Sequence, residues 1–209
     1  MARIRVELAY VTCRDTEDVT GADEFYIAGV VITDNANLRK GILTTPISIN
    51  DGQTKTFRPE ETILFEGDLP DNQSVGLMLQ AYDEDAAKDW SKRPEWINTT
   101  TQKVGTAAGG AVAAGLASNP IGWTAIAAGL AAGLALGGFH LAMGSDKDDQ
   151  LGTTNIVIPV TGRANEVKAW HFSRSGWWSG WDYTVTYRIH REGAAIDAIE
   201  KSLAQMGHK

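Results

Sequence analysis

Between Lys103 and Asp146 the chain carries no Asp, Glu, Lys or Arg, and the residues from Val104 to Met143 are mostly Ala and Gly. The only ionisable side chain in that stretch is His140. Ser118-Asn119-Pro120 divides it into two arms, because Asn-Pro is a turn signal and Pro is tolerated in the first turn of a following helix. The expected structure is a hairpin of two Ala-rich helices over 104–143. Gly129, Gly133 and Gly137 fall on one helix face, as do Gly105 and Gly109 on the first arm. Such a glycine zipper lets two helix backbones approach closely, as helices do in lipid.

Two readings of the hairpin compete. The second arm, Ile121 to Met143, would be roughly 35 Å long, enough to cross a bilayer core of about 30 Å. The first arm, roughly 22 Å, is short for a span. Inserted in a membrane, the hairpin would offer Ile121, Trp123, Ile126, Leu130, Leu134 and Phe139 to lipid. Packed in water, the same Ala/Gly surface would need one face covered by the rest of the protein.

The remainder of the 209 residues alternates as strands do. Ile4, Val6, Leu8, Tyr10 and Thr12 share one face of a first strand, and Phe25 to Thr33 forms a second. Ile42 to Ile49 and Thr54 to Phe57 flank Asn50-Asp51-Gly52, a strong hairpin turn. Further strands are expected at 62–65, 74–82, 154–160, 166–173 and 182–190. A closing helix, 193–206, presents Ile196, Ile199, Leu203 and Met206 on one face. About eight short strands with turns at sandwich-like spacing predict a mainly β, antiparallel eight-stranded β-sandwich with an inserted α-helical hairpin and a C-terminal helix. The expected organisation is a sandwich from 1–85 and 146–191, an insertion at 86–145, and an amphipathic helix within 192–209.

A formal charge of −7 argues against a general nucleic-acid binder. One cysteine, Cys13, rules out an internal disulfide and a Cys-based zinc site. The chain begins in strand alternation with no apolar signal region, so the expectation is a soluble form, cytoplasmic or exported by a dedicated machine, and membrane-associated when active. No His-x-x-x-His, Ser/His/Asp or phosphate-cradling pattern is present, and the expectation is a protein that is not an enzyme.

The acids are clustered. Asp15, Glu17, Asp18, Asp23 and Glu24 form one group, Asp83, Glu84, Asp85 and Asp89 a second, and Asp146, Asp148 and Asp149 a third. All three lie where strands end. Gathered carboxylates repel one another unless a cation sits among them, and hard oxygens on loops suit Ca²⁺. Solvated acidic loops are the plain alternative. Trp170, Trp177, Trp178 and Trp181 cluster late in the chain, and Trp90, Trp96 and Trp123 flank or enter the insertion. Tryptophans fill sandwich cores, sit at membrane–water boundaries or stack on sugars.

At the acidic loops the chain resembles C2 domains, eight-stranded sandwiches whose loops at one end take Ca²⁺ and then phospholipid. Asp18-Val-Thr-Gly21-Ala-Asp23-Glu-Phe-Tyr26 is similar to the family's first calcium loop, Asp-x-x-Gly-x-Ser-Asp-Pro-Tyr. It is one residue shorter and has Glu24 where Pro is usual, so Asp18, Glu17 and Asp15 all stay open as the partner of Asp23. Asp83-Glu-Asp85 and Asp149-Gln-Leu151-Gly152 resemble the opening and the close of the third loop, here more than sixty residues apart. The resemblance implies Asp18, Asp23, Asp83, Asp85 and Asp149 as Ca²⁺ ligands, and puts the hairpin in the loop that meets the membrane. The function expected is calcium-dependent binding to anionic phospholipid, with the hairpin inserting or oligomerising into a pore as in a bacterial toxin or effector. The alternative is a soluble adaptor with a structural ion and a hairpin packed on a partner chain. A lectin using the tryptophans is a third reading.

Overall fold

The computed structural model describes residues 1–16, 21–33, 40–84, 149–176 and 180–206. The 104–143 hairpin, with Ile121, Trp123, Ile126, Leu130, Leu134 and Phe139, lies outside the described residues, as do Asp18 and Asp85. No helix among the described residues is long and apolar enough to cross a membrane.

Among the described residues ten strands form two antiparallel sheets stacked face to face, the fold class expected from the sequence. The first sheet is built on β1 (Ala2–Asp15), which pairs along one edge with β10 (Trp181–Glu192). Beyond β10 lies β9 (Asn165–Arg174). The other edge of β1 is shared by two short partners. Residues Tyr10 to Thr12 meet β5 (Thr54–Thr56), and Ala2 to Glu7 meet β6 (Ile63–Leu69).

β2 (Asp23–Ile32) plays the same part in the second sheet, dividing one edge between β3 (Lys40–Leu43) and β4 (Ile47–Ile49). Its other edge takes β7 (Ser74–Asp83), which in turn pairs with β8 (Asp149–Pro159).

Three sequence expectations change here. In β1 the phase shifts at a register irregularity between Leu8 and Tyr10. Ile4, Val6 and Leu8 face the core, but beyond the bulge it is Val11 and Cys13 that do, and half-exposed Tyr10 points outward. A single extra residue reverses a period-two pattern, which strict alternation cannot foresee. The Asn50-Asp51-Gly52 turn forms as expected, with Gln53 N–H donating to Asn50 O at 3.0 Å and Gly52 at φ 71°. It does not close a hairpin, however. β4 pairs with β2 and β5 with β1, so the turn carries the chain from one sheet to the other. The single strand expected over 42–49 is also two, broken at 44–46, although both pieces pair with β2.

The core lies between the sheets. Ile4, Val6 and Leu8 of the first sheet meet Phe25, Ile27, Val31, Leu77 and Leu79 of the second. Every residue of β7 is buried, including Met78, Gln80 and Tyr82 on the sheet's second face, where Tyr26 and Ala28 of β2 are buried too. Strands buried on both faces read as near-continuous apolar runs, as β2 and β7 do.

Helix α1 (Ala194–Met206) follows Gly193, whose φ of 138° turns the chain off β10. Ile196 plugs the core and Glu200 Oε1 accepts the Ala164 N–H at 2.8 Å. Of the expected apolar face only Ile196 is buried, while Met206 is 62% exposed. The helix sits beside the first residues of β1 and the last of β10, at the end opposite the acidic loops.

Close packing gives a direct stability test. A Cβ on Gly152 would lie 2.6 Å from the ring of Phe172 in the opposite sheet. Gly152→Ala is therefore expected to destabilise by about 1–3 kcal/mol, the usual cost of overpacking. A denaturant midpoint equal to that of the unmodified chain would contradict this packing.

Candidate functional site

The end of the sandwich opposite α1 gathers the acids. Inward-facing positions of β2 run Asp23, Phe25, Ile27, so Asp23 continues the core face beyond its last apolar residue. It is fully buried. Its Oδ2 accepts the Tyr183 hydroxyl at 2.6 Å, a bond that crosses from one sheet to the other. Tyr183 is held on β10 by ring stacking with Phe25 at 5.2 Å and with Phe172 at 5.9 Å. Opposite Tyr183 in register stands Cys13 of β1, its buried thiol beside the same phenol.

Burial, and then the Asp23 carboxylate, push the Tyr183 phenol far up, so it stays a proton donor. Burial likewise raises the Cys13 thiol, to about 11. A thiol so placed is inert at neutral pH. The trio therefore has a carboxylate and a thiol within reach of one phenol but no nucleophile.

Asp83 ends β7 on the same inward parity as Leu77, Leu79 and Ala81, and is buried. Its Oδ1 accepts the Glu24 N–H at 2.7 Å, and Glu84 N–H donates to Glu24 O at 3.2 Å. These bonds fasten the end of β7 to the start of β2. Asp149 begins β8 directly opposite Asp83. The pairing of β7 with β8 runs from Ser74 opposite Pro159 to Asp83 opposite Asp149. The register shifts by one residue between Ala81 and Tyr82, and past that shift the backbone of Asp149 is paired with Asp83. Nearby, Trp181 Nε1–H donates to Leu151 O at 2.7 Å and ties β10 to β8.

Of the five expected ligands, the structure brings Asp23, Asp83 and the backbone of Asp149 to one end of one sheet. Asp18 and Asp85 lie outside the described residues. Among the described residues no three His, Cys, Asp or Glu side chains converge on one point. The donor chemistry at this end nevertheless fits a hard divalent cation. Asp23 and Asp83 are two buried carboxylates, hard oxygen donors of the kind Ca²⁺ takes. Loop acids would be needed to complete six to eight oxygens.

Sequence reasoning did not single out Tyr183. The signal was available in its odd-numbered parity with Trp181, Val185 and Ile189, which places a phenol in the interior, where it needs an acceptor. Trp170 and Trp181 are core residues: both are buried, and Trp170 packs on Phe172 at 4.5 Å. Trp177 and Trp178 lie outside the described residues.

The other sheet gives this end a different character. His171 Nε2 lies 3.0 Å from Asp182 Oδ1, Arg14 is 3.9 Å from the same carboxylate, and the Arg174 guanidinium lies 5.2 Å from the Trp181 ring. Cations and aromatics thus stand across from the buried acids.

No family model matches the chain, and no curated protein matches it. Among solved structures the chain is similar to the C2A domain of a plant extended synaptotagmin 1. The likeness is at 7% identity with a TM-score of 0.44, and covers 92% of this chain and 95% of that one.

Proposed function

We propose that the chain is a non-catalytic, calcium-responsive protein that binds anionic phospholipid through the end of the sandwich where its acids and its apolar insertion meet. One observation carries this reading. Asp83 and Asp149, paired in register, stand at the two ends of the insertion, with buried Asp23 on the neighbouring strand. Any ion held there lies at the root of the uncharged 104–143 stretch. Gathered carboxylates repel anionic lipid, and a bound cation removes that repulsion. Arg14, paired with Asp182, and Arg174, over the Trp181 ring, lie on the first sheet's side of the same end, where lipid phosphate would compete for them.

In the fuller form of the reading, the 104–143 hairpin then enters the bilayer and copies of the chain associate there, as in a pore-forming toxin or effector. Dye release from anionic liposomes, with Ca²⁺ and with chelator, separates the steps. Calcium-dependent pelleting with dye release supports the fuller form, and pelleting without release leaves peripheral binding. Neither pelleting nor release would overturn the proposal in favour of a soluble module. Leu130→Arg is expected to abolish release while leaving the sandwich's thermal unfolding unchanged, since a charge in mid-helix opposes insertion by about 2.5–3.5 kcal/mol.

A further inference from the structure

We propose that the second face of the second sheet is the resting site of the chain's own uncharged 104–143 stretch. This goes beyond the lipid reading and does not depend on it. The face is made by Tyr26, Ala28 and Val30 of β2 and Met78, Gln80 and Tyr82 of β7, which alternate with the residues that point into the core. All six are at most 2% exposed. The Tyr26 and Tyr82 rings stack at 5.3 Å, and with Ala28 and Leu43 they make a cluster separate from the core. Yet among the described residues no element lies over them. β3 and β4 pair along one edge of β2, β8 pairs along the far edge of β7, and α1 sits on β1 and β10 of the other sheet. A face this dry is covered, so its cover comes from chain outside the described residues.

Length, tether and chemistry select that cover. β2 and β7 have ten residues each. The face is therefore roughly 33 Å long at about 3.3 Å per residue. Residues 17–20, 34–39, 177–179 and 207–209 are too few to span it. Residues 85–148 leave from the end of β7 and return at the start of β8, so both ends are anchored at the rim of this same sheet. Within them, 85–103 and 144–148 carry charges that this uncharged face could not pair, whereas 104–143 carries only His140. As helices its two arms, roughly 22 and 35 Å long and about 10 Å wide, fit strands of this length spaced about 4.8 Å apart. A second observation points the same way. Gln80 Nε2, and Gln150 Nε2 from the β8 residue opposite Tyr82, are buried and make no hydrogen bond. A polar cover would supply acceptors to them. An Ala- and Gly-rich helix surface offers almost none, because its carbonyls are already bonded within the helix. Docked in this way, the stretch stays out of water without a partner chain, and a bilayer would have to compete with the sheet for it.

The test uses the full chain with photo-methionine at its four methionines, a near-isosteric diazirine that bonds whatever touches it on irradiation. Cross-links from position 78 are expected to map to 104–143 of the same chain. Cross-links only to other segments or to a second copy, or reaction with water alone, would overturn the proposal. Thiol labelling gives an independent reading. Ala28→Cys is expected to react with a maleimide about 100-fold or more slowly than Val167→Cys. Val167 stands 67% exposed on β9, and Cys13, buried in the core, is the same slow background in both variants. The ratio should not change on dilution, since the cover belongs to the same chain. Equal rates, or a ratio that falls as the protein is diluted, would overturn the proposal. Both measurements are made without liposomes, so their outcome is separate from whether the chain binds lipid.

Discussion

Arg191→Met is expected to lower folding stability by about 3 kcal/mol, measured by denaturant unfolding at neutral pH. Arg191 lies on the inward parity of β10 with its side chain almost wholly buried. Its Nη1 donates to Glu166 Oε1 at 2.5 Å and to Arg163 O at 2.8 Å, and its Nε donates to Pro159 O at 3.0 Å. One guanidinium therefore ties the 160–164 turn between β8 and β9 to the last residues of β10. Gly162 leaves room for it, since a Cβ there would lie 3.1 Å from Arg191 Cζ. Methionine would fill much of the volume but strand two carbonyls and a carboxylate. Glu166 keeps Lys168 at 2.9 Å and is partly exposed, which places the loss at the low end of the range for a broken buried pair. Burial pushes the Glu166 carboxyl up, but the Lys168 and Arg191 hydrogen bonds outweigh it and hold the group below the usual range. A depressed carboxyl stabilises above its unfolded value of about 4.3, and that stability is lost as pH falls through the lower folded value. The gap between the unmodified chain and Arg191→Met should therefore narrow in acid without closing, because the two carbonyl contacts do not titrate. Coincident unfolding curves at pH 7 would show that the clasp contributes nothing.

Arg191 also shows where a sequence is legible and where it is not. Strand parity on β10 puts Trp181, Tyr183, Val185, Tyr187 and Ile189 inside, and the same count puts Arg191 there. A charge on an inward position announces a buried pair, but not its partners, because Glu166, Pro159 O and Arg163 O come from two other strands and a turn. Asp23 follows the same logic. Its inward parity with Phe25 and Ile27 was readable, whereas the Tyr183 hydroxyl lies 160 residues away. The sandwich was legible because most strands bury one face and alternate. The bulge in β1 and the sheet-to-sheet crossing at Asn50-Asp51-Gly52 were not, since each depends on which strand arrives as partner. Whether the insertion displaces Asp149 was also open from sequence alone. Val75 opposite Ile158 and Leu77 opposite Ile156 fix most of β8 by apolar pairing, but the register shifts by one residue between Ala81 and Tyr82 before Asp83 meets Asp149, and such a shift depends on the partner strand.

Asp83→Asn is expected to leave the metal-free protein within about 1 kcal/mol of its original stability and to remove most of its stabilisation by calcium. The two parts of the expectation come from two roles of one side chain. Asp83 Oδ1 accepts the Glu24 N–H, and an asparagine carbonyl oxygen can accept the same bond, so the end of β7 should stay fastened to β2. In chelator the substitution exchanges a charge-assisted bond to the Glu24 N–H for a weaker neutral one, a loss of about 1 kcal/mol or less. Calcium reverses the comparison. At a concentration about 100 times the dissociation constant, binding to the folded state alone adds about 2.7 kcal/mol to the unmodified chain. If the lost carboxylate weakens binding about 100-fold, that gain falls to about 0.4 kcal/mol at the same concentration. Thermal unfolding with calcium and with chelator reads both quantities on the same samples. A variant unstable in chelator would make Asp83 chiefly a strand fastener. A variant that keeps the full calcium shift would move the ion away from the paired ends of β7 and β8, and with it the link between cation binding and the apolar insertion that those strands carry.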